Sequence, residues 1–260
     1  MTGEVPPADR AKSAAAAQAV QHIKSGMRVG LGTGSTAERM ICHLGKRVRE
    51  EGLNIRAAPT SARTADLARR LGIDLIPPAE VRHLDVTIDG ADEFDPTLAL
   101  IKGGGGALLH EKIVAAASER MIVIADASKE VSTLGAFPLP VEIIPFGWQS
   151  TSALIGNALE KIDIPGREIR LRRAGDAPFV TDEGNHILDL HLHRIDDPRL
   201  VSRALNRIPG VVENGLFIDL CNTVIIGHAD GRVETRDLST GAVEQTHVSL
   251  AGAERLCPHL

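Results

Sequence analysis

The stretch 27–36, MRVGLGTGST, joins a short apolar run to a glycine loop that is rich in Ser and Thr. In the residues that follow, Met40, Ile41, Leu44 and Val48 share one helical face. This pattern predicts a strand, a tight turn and a helix, the unit from which parallel α/β sheets are built. The free N–H groups at the start of such a helix favour an anion, above all phosphate. The alternative is a turn that uses glycine only for its backbone conformation.

The same alternation of strands and helices continues on both sides of this stretch. Strands that are apolar along their whole length and are separated by helices predict a parallel sheet covered on both faces. The predicted elements are the strands 27–32, 54–58, 83–89 and 121–126 and the helices 10–24, 37–52, 62–72 (with Ser61 as N-cap) and 107–119.

Prolines and glycines in residues 134–147, LGAFPLPVEIIPFG, indicate a domain junction. Beyond it the predicted order is strand, helix, strand, strand, helix, strand, which is the split β-α-β arrangement. We therefore predict an α/β fold: a Rossmann-like three-layer domain with a mainly parallel sheet, plus a smaller ferredoxin-like α+β domain. The first is assigned to residues 1–132 and 212–260, with 233–260 as a polar tail without regular structure, and the second to residues 133–211.

Composition excludes several classes of function. The chain of 260 residues has a net charge of -5, lacks tyrosine and is 2% aromatic, which argues against a nucleic-acid or membrane surface. The N-terminal MTGEVPPADR lacks the features of a signal peptide. The scattered Cys42, Cys221 and Cys257 indicate reduced thiols. These features predict a cytoplasmic protein that acts on a small molecule.

Residues 88–117, IDGADEFDPTLALIKGGGGALLHEKIVAAA, concentrate acids just after a predicted strand. Asp89 and Asp92 could converge on a polyhydroxy ligand or move protons. Acids alone could also hold Mg²⁺, whereas no histidine has the spacing of a transition-metal site. Solvated turn residues are the simpler interpretation for Glu93 and Asp95, to which we assign no role.

The glycine run at residues 103–106 points more specifically to a function than the acids do. Consecutive glycines are entropically costly unless the backbone must approach a ligand, and their amides could stabilise an oxyanion. Lys102 adds a positive charge, and the helix dipole and nearby lysines would keep Glu111 ionised, as a general base requires. The alternative is a flexible loop followed by a solvated Glu-Lys pair.

Polar loops follow the predicted parallel strands at GTGST, PTS, DGAD and DASK, so they should lie at the edge of the sheet where α/β proteins bind ligands. A nucleotide-dependent dehydrogenase is disfavoured, because Ser35 replaces the last glycine of the dinucleotide motif and no acid ends the second strand. Hydroxyls and lysines suggest a phosphorylated polyol, and a base opposite amides suggests proton abstraction beside a carbonyl. Together they predict a sugar-phosphate aldose–ketose isomerase that works without metal.

The ordered motifs GLGTGSTA, IDGADE, IKGGGGALLHEKIVA, IADASK and FPLPVEIIPFG resemble those of the type A ribose-5-phosphate isomerases, over roughly residues 10–232. The resemblance implies interconversion of ribose 5-phosphate and ribulose 5-phosphate in the pentose phosphate pathway. It also implies a Rossmann-like domain with a small α+β domain, no metal, no cofactor, and a homodimer or homotetramer.

The resemblance further implies a role for individual residues. Glu111 would be the base that moves the proton between C1 and C2, and Lys102 would stabilise the enediolate. Asp89 and Asp92 would hold the sugar hydroxyls, with Asp89 assisting ring opening or proton exchange between O1 and O2. The other implied substrate-binding residues are Thr33, Gly34, Ser35, Thr36, Gly90, Ala91, Gly103, Gly104 and Gly105, with Lys129 and Lys12 at the phosphate.

The sequence departs from the family pattern in three places. His110 stands where arginine is common, DLCNTVIIGHADG varies a segment outside the site, and the tail after Arg232 is longer than usual. Two alternatives use the same scaffold. An amino-sugar-phosphate deaminase would need a ring-opening histidine, which we cannot place. A non-catalytic sugar-phosphate sensor usually has a DNA-binding helix-turn-helix, for which residues 1–25 are too short.

Overall fold

The computed structural model describes residues 5–250 and places the stretch 27–36 inside a parallel sheet. Its helices are α1 (Pro7–Ala19), α2 (Ser35–Glu51), α3 (Ala62–Arg70), α4 (Leu108–Ala116), α5 (Trp148–Leu159) and α6 (Pro198–Leu205). Its first strands are β1 (Arg28–Leu31), β2 (Arg56–Pro59), β3 (Asp74–Leu75), β4 (Val86–Gly90), β5 (Glu93–Phe94), β6 (Leu100–Ile101), β7 (Met121–Asp126) and β8 (Leu139–Ile143). The remaining strands are β9 (Glu168–Leu171), β10 (Arg173–Ala174), β11 (Ala177–Pro178), β12 (His186–His191), β13 (Val211–Asn214), β14 (Leu216–Phe217), β15 (Cys221–Gly227), β16 (Arg232–Asp237) and β17 (Ala242–His247).

The described residues form two compact units. The first contains residues up to Gly90, Ile113–Lys129 and residues from Leu220 onwards, and the second contains Ala91–Lys112 and Glu130–Asp219. Our domain assignment kept residues 91–112, 130–132 and 212–219 in the first domain, whereas the structure groups them with the second unit.

An eight-stranded sheet organises the first unit, in the order β17-β16-β15-β7-β4-β1-β2-β3. All pairs from β15 to β3 are parallel, and β16 and β17 add an antiparallel edge. The predicted α/β fold with a mainly parallel sheet is confirmed. The carboxyl ends of β1, β2, β4 and β7 lead directly into the polar loops GTGST, PTS, DGAD and DASK.

The alanines of α1 allow this helix to lie very close to the sheet. Ala14, Ala15 and Ala16 are fully buried, and a Cβ at Gly227 of β15 would lie 2.0 Å from the carbonyl oxygen of Ala11. Larger side chains at this contact would push the helix off the strand. The Ala-rich pattern thus reflects close packing as well as helix propensity.

The hairpin formed by β16 and β17 corrects our interpretation of the tail. Its strands pair from Arg232 opposite His247 to Asp237 opposite Ala242. The side chains of β17 are exposed, so no apolar alternation marks the strand, and the pairing depends on main-chain hydrogen bonds that composition does not reveal. The rest of the predicted tail, residues 251–260, lies outside the described residues.

One cysteine, Cys42, differs from the prediction of reduced thiols. Cys42 is disulfide-bonded, whereas the thiol of buried Cys221 donates to the carbonyl of Thr223 at 3.3 Å. No helix within residues 5–250 has the length and apolar character needed to span a bilayer.

A four-stranded antiparallel sheet forms the core of the second unit, in the order β13-β8-β12-β9. With α5 after β8 and α6 after β12, this is the predicted ferredoxin-like arrangement, which is confirmed. The unit also contains a small sheet in the order β14-β6-β5, which the sequence did not predict. Its strands have two residues each, too few to show a periodicity.

Candidate active site

A network of hydroxyl groups joins the loop after β1 to the loop after β2 and the start of α3 within the first unit. Thr33 Oγ1 lies 2.7 Å from Thr60 Oγ1, 2.9 Å from Ser61 Oγ and 3.2 Å from Thr64 Oγ1. Ser61 is the N-cap of α3, as predicted, and its side chain accepts a hydrogen bond from the amide of Thr64 at 3.1 Å. The structure therefore brings the predicted GTGST and PTS loops together at the edge of the sheet.

Asp89, at the end of β4, is fully buried and is held by the same loop. Its Oδ1 accepts hydrogen bonds from the amides of Thr33 at 3.1 Å and Gly90 at 2.7 Å. A Cβ at Gly32 would lie 2.0 Å from this oxygen and 2.6 Å from the Cα of Asp89. Glycine is needed at position 32 because the loop passes directly over Asp89. Close packing therefore explains this glycine of the motif without a bound nucleotide.

The other predicted residues of the first unit lie on separate elements. Gly34 has a φ of +105° and precedes α2, which begins with Ser35 and Thr36. Lys129 ends the 3-10 turn Ala127–Lys129 after β7. On α1, Lys12 Nζ lies 3.8 Å from Asp9 Oδ1. An ion pair of this kind at the surface contributes little to stability.

In the second unit, Asp92 contacts the glycine run. Its Oδ2 accepts a hydrogen bond from the amide of Gly104 at 2.7 Å, and its own amide donates to the carbonyl of Ile101 at 2.8 Å. A Cβ at Gly104 would lie 2.6 Å from Asp92 Oδ1. Asp92 therefore also lies directly beside a glycine, but the close atoms are those of its side chain and not of its backbone.

Lys102 and Glu111 form a buried ion pair in the same unit. Lys102 Nζ lies 3.3 Å from Glu111 Oε1, and the two residues are 2% and 4% exposed. Glu111 lies in the first turn of α4, and its amide donates to the carbonyl of Ala107 at 3.0 Å. Burial penalises an isolated carboxylate, whereas an ammonium at this distance favours its ionised form.

Phe217 contacts both Lys102 and Lys112, and neither Phe217 nor Lys112 was assigned a role from the sequence. The Phe217 ring has Lys102 Nζ at 5.4 Å and Lys112 Nζ at 4.9 Å from its centroid, within cation–π distance. Lys112 also donates to Glu213 Oε1 at 2.9 Å and to the carbonyl of Asn214 at 2.6 Å. Desolvation by burial lowers the pKa of Lys112. No sequence signal links position 217 to position 102.

Glu93 is a buried residue and not the solvated turn residue that we expected. It is 4% exposed and accepts hydrogen bonds from the amides of Gly135 (2.7 Å) and Phe137. The carboxylate therefore fixes the segment that leads into β8. Asp95 behaves as expected for a turn residue, since its Oδ1 accepts from the amide of Thr97 at 2.8 Å.

The histidine that departs from the family pattern contacts a neighbouring loop of the same unit. His110 Nε2 lies 2.7 Å from Glu183 Oε1, and both side chains are partly exposed. Between residues 5 and 250, the structure contains no group of three or more His, Cys, Asp or Glu arranged to hold a metal ion.

Comparisons with known proteins give one consistent result. A family model described as Ribose 5-phosphate isomerase A (phosphoriboisomerase A) matches residues 56–231. Ribose-5-phosphate isomerase A of Ruegeria pomeroyi is 61% identical over 256 residues, which cover 98% of each chain. Because that protein extends over the same length, the segment after Arg232 is not peculiar to this chain.

Two solved structures resemble the chain over nearly its whole length. Ribose 5-phosphate isomerase from Plasmodium falciparum has a TM-score of 0.80 at 33% identity and covers 93% of this chain and 99% of its own. A D-ribose-5-phosphate isomerase in complex with phospho-erythronic acid has a TM-score of 0.79 at 36% identity and covers 94% of this chain and all of its own.

Proposed function

The chain belongs to the ribose 5-phosphate isomerase A family and is an isomerase, and from this premise we propose that it interconverts D-ribose 5-phosphate and D-ribulose 5-phosphate. We propose an enediolate mechanism with Glu111 as the general base. The observation that carries this proposal is the buried pair of Lys102 and Glu111, 3.3 Å apart, directly beside the glycine run.

The chemistry follows from what each group of the second unit can do. Glu111 removes the proton from C2 of the open-chain aldose, the C1–C2 double bond forms, and the negative charge develops on O1. Lys102 and the amides of the run Gly103, Gly104 and Gly105 stabilise this charge. A proton passes from O2 to O1, Glu111 returns its proton to C1, and the C2 carbonyl of the ketose forms. These proton transfers conserve atoms and charge, so the reaction needs no cofactor.

Acids and hydroxyls would hold the substrate. Asp92 accepts hydrogen bonds from sugar hydroxyls, and Asp89 does the same while assisting ring opening or the exchange between O1 and O2. These two roles are transferred by motif from the family. The remaining proposed contacts are Thr33, Gly34, Ser35, Thr36, Gly90 and Ala91 around the sugar phosphate, with Lys129 and Lys12 at the phosphate.

Further features of the family belong to the same proposal. The enzyme would work in the cytoplasm, in the pentose phosphate pathway, as a homodimer or homotetramer and without metal. We also propose that it binds phospho-erythronic acid, the ligand of one similar structure. The carboxylate of this acid places two oxygens on one planar carbon, and it would occupy the position where negative charge develops on O1.

The two alternative functions receive less support. The family model and the relatives carry the name of an isomerase, which favours isomerisation over deamination. A non-catalytic sensor would have no use for a buried carboxylate paired with a lysine beside a run of backbone amides.

The first test mixes the purified protein with ribose 5-phosphate and follows ketose formation, with and without EDTA. We expect turnover that is unchanged by EDTA. Absence of turnover would reject the isomerase proposal, and loss of turnover with EDTA would reject the metal-independent mechanism.

Substitution of the base tests the mechanism. Glu111→Gln should lower kcat about 10²- to 10⁴-fold, because it removes the group that transfers the proton while keeping its shape. Substrate affinity, measured by calorimetry, should change little. Glu119→Gln is the matched control, since Glu119 is exposed and pairs only with His83 at 3.1 Å among the ion pairs of the described residues. Full activity of Glu111→Gln would show that another group is the base.

A further inference from the structure

We propose that Arg172 is a positioning residue that fixes the orientation of two successive peptide groups in the glycine run. Arg172 Nη1 donates to the carbonyl oxygens of Gly103 at 2.8 Å and Gly104 at 3.2 Å. The two residues of the run that carry the oriented amides, Gly104 and Gly105, are exposed, whereas Gly103 and Gly106 are buried. The amide of Gly104 donates to Asp92 at 2.7 Å, so the amide of exposed Gly105 is the one that we expect an external ligand to reach.

The geometry of the peptide bond connects these contacts to the amides. In a trans peptide the C=O and the following N–H point in opposite directions, and no cis peptide occurs in the described part of the chain. Holding the oxygen of Gly103 therefore directs the N–H of Gly104 to the other side, where it donates to Asp92 Oδ2 at 2.7 Å. Holding the oxygen of Gly104 directs the N–H of Gly105 in the same way.

Arg172 is itself held rigidly. Its Nε donates to Asp189 Oδ2 at 2.9 Å and its Nη2 donates to Asp189 Oδ1, so the pair is bidentate, and the side chains are only 14% and 19% exposed. The guanidinium carbon lies 5.9 Å from the centre of the Phe179 ring. That ring also lies against the end of the glycine run, because a Cβ at Gly106 would be 2.4 Å from Phe179 Cζ. Arg172 thus connects Asp189 of the ferredoxin-like sheet to the glycine run.

An unsupported run of four glycines would sample many orientations, because glycine has the largest backbone freedom of any residue. Donors that stabilise a developing charge must be oriented before the reaction, so that no energy is spent on reorienting them. Arginine suits this task because its planar fork binds a carboxylate with two nitrogens while a third binds the loop. Lysine has a single nitrogen and cannot make both sets of contacts.

The neighbouring arginine provides a matched control. Arg170 lies on β9 and forms an exposed pair with Glu168 at 2.7 Å. Arg172→Lys and Arg172→Ala are therefore compared with Arg170→Lys in the full-length protein. Because this role rests on the proposed function, wild-type turnover of ribose 5-phosphate is measured first.

We expect Arg172→Lys to lower kcat about 10- to 100-fold, somewhat less than removal of an oxyanion donor, because the amides remain but are misoriented. KM should change little, and the inhibition constant of phospho-erythronic acid should rise in step with the loss of kcat/KM. Millimolar guanidinium should partly restore Arg172→Ala, and the same concentration of sodium chloride should not. Arg170→Lys should match the wild type in every assay.

Hydrogen exchange of the Gly104 and Gly105 amides gives a readout that is independent of activity, and it should accelerate in Arg172→Lys. If the wild type shows no turnover, the isomerase proposal fails, and the exchange data still decide the role of Arg172. The inference is overturned if Arg172→Lys keeps wild-type kcat, inhibition and exchange. It is also overturned if activity falls only in proportion to the folded fraction and guanidinium restores nothing.

Discussion

Asp89 and Asp92 are three positions apart in the chain, and each lies beside a glycine, yet they are held in different ways. Asp89 belongs to the first unit, is fully buried and accepts from Thr33 and Gly90 in the loops at the ends of parallel strands. Asp92 belongs to the second unit, is half-buried and contacts Gly104, whose loop is held by a distant arginine. The topology of a sheet is enough to place the first acid, whereas the second depends on long-range side-chain contacts.

The two glycines beside these acids give the largest expected difference. Gly32→Ala should destabilise the protein by about 3 kcal/mol, because the new Cβ meets the Cα of Asp89, a backbone atom in a packed sheet that cannot move. Urea unfolding measures this change. A loss below about 1 kcal/mol would show that the loop can shift away from Asp89.

Gly104→Ala provides the contrasting variant. Its Cβ meets only the far end of the Asp92 side chain, at 2.6 Å, and a half-buried carboxylate can rotate away. We therefore expect a loss of no more than about 1 kcal/mol in the free energy of unfolding, with a clear fall in kcat. Equal destabilisation by Gly32→Ala and Gly104→Ala would remove the distinction between the two acids.

Glu93 should give the next largest effect, because its carboxylate connects segments that are far apart in the sequence. Glu93→Gln replaces one acceptor oxygen by an NH2 group and leaves the amide of Gly135 or Phe137 without its partner, which should cost about 2 kcal/mol. Urea unfolding and hydrogen exchange of the two amides measure the loss. Asp95→Asn is the control, since its contacts are local and partly exposed. A similar loss of stability in Glu93→Gln and Asp95→Asn would show that burial of the Glu93 carboxylate is not what makes its contacts important.

A comparison of two phenylalanines in the second unit distinguishes the effect of packing from that of a cation–π contact. Phe217 and Phe94 are both fully buried and both pair with Leu100 in the three-stranded sheet. Replacing either by leucine should cost about 1.5 kcal/mol of stability. Only Phe217→Leu should also lower kcat, about fivefold, because it removes a cation–π contact of about 1 kcal/mol from Lys102. Steady-state kinetics and urea unfolding measure both effects, and an equal fall of kcat in Phe94→Leu would indicate a purely structural role.

The smallest effect is expected in the hydroxyl network of the first unit. Ser61→Ala removes the N-cap of α3 and should cost about 1 kcal/mol. Activity should be unchanged, because Thr33 keeps Thr60 and Thr64 as partners. Urea unfolding and the isomerase assay check these expectations. A large fall in activity would show that the network in the first unit is as sensitive as the loop in the second.

Much of the fold could be predicted because its signals are local. The run MRVGLG, the glycine turn and the apolar face from Met40 to Val48 lie within one short stretch, and they became β1, its loop and α2. The N-cap Ser61 and the split β-α-β order were predicted for the same reason. The hairpin β16–β17 could not be predicted, because its exposed side chains carry no apolar pattern.

The sequence by itself determined the family motifs, the fold class and the residue types of the candidate site, since each depends on neighbours along the chain. Only the tertiary structure decided which distant groups hold that site. Arg172 is 69 positions from Gly103, and nothing in RLRRAG distinguishes it from Arg170 and Arg173. It differs from them because its guanidinium binds both the glycine run and Asp189, although the register of β9 and β12 places Asp189 directly opposite Arg170. Such contacts depend on chain folding over long separations, which composition and periodicity do not encode.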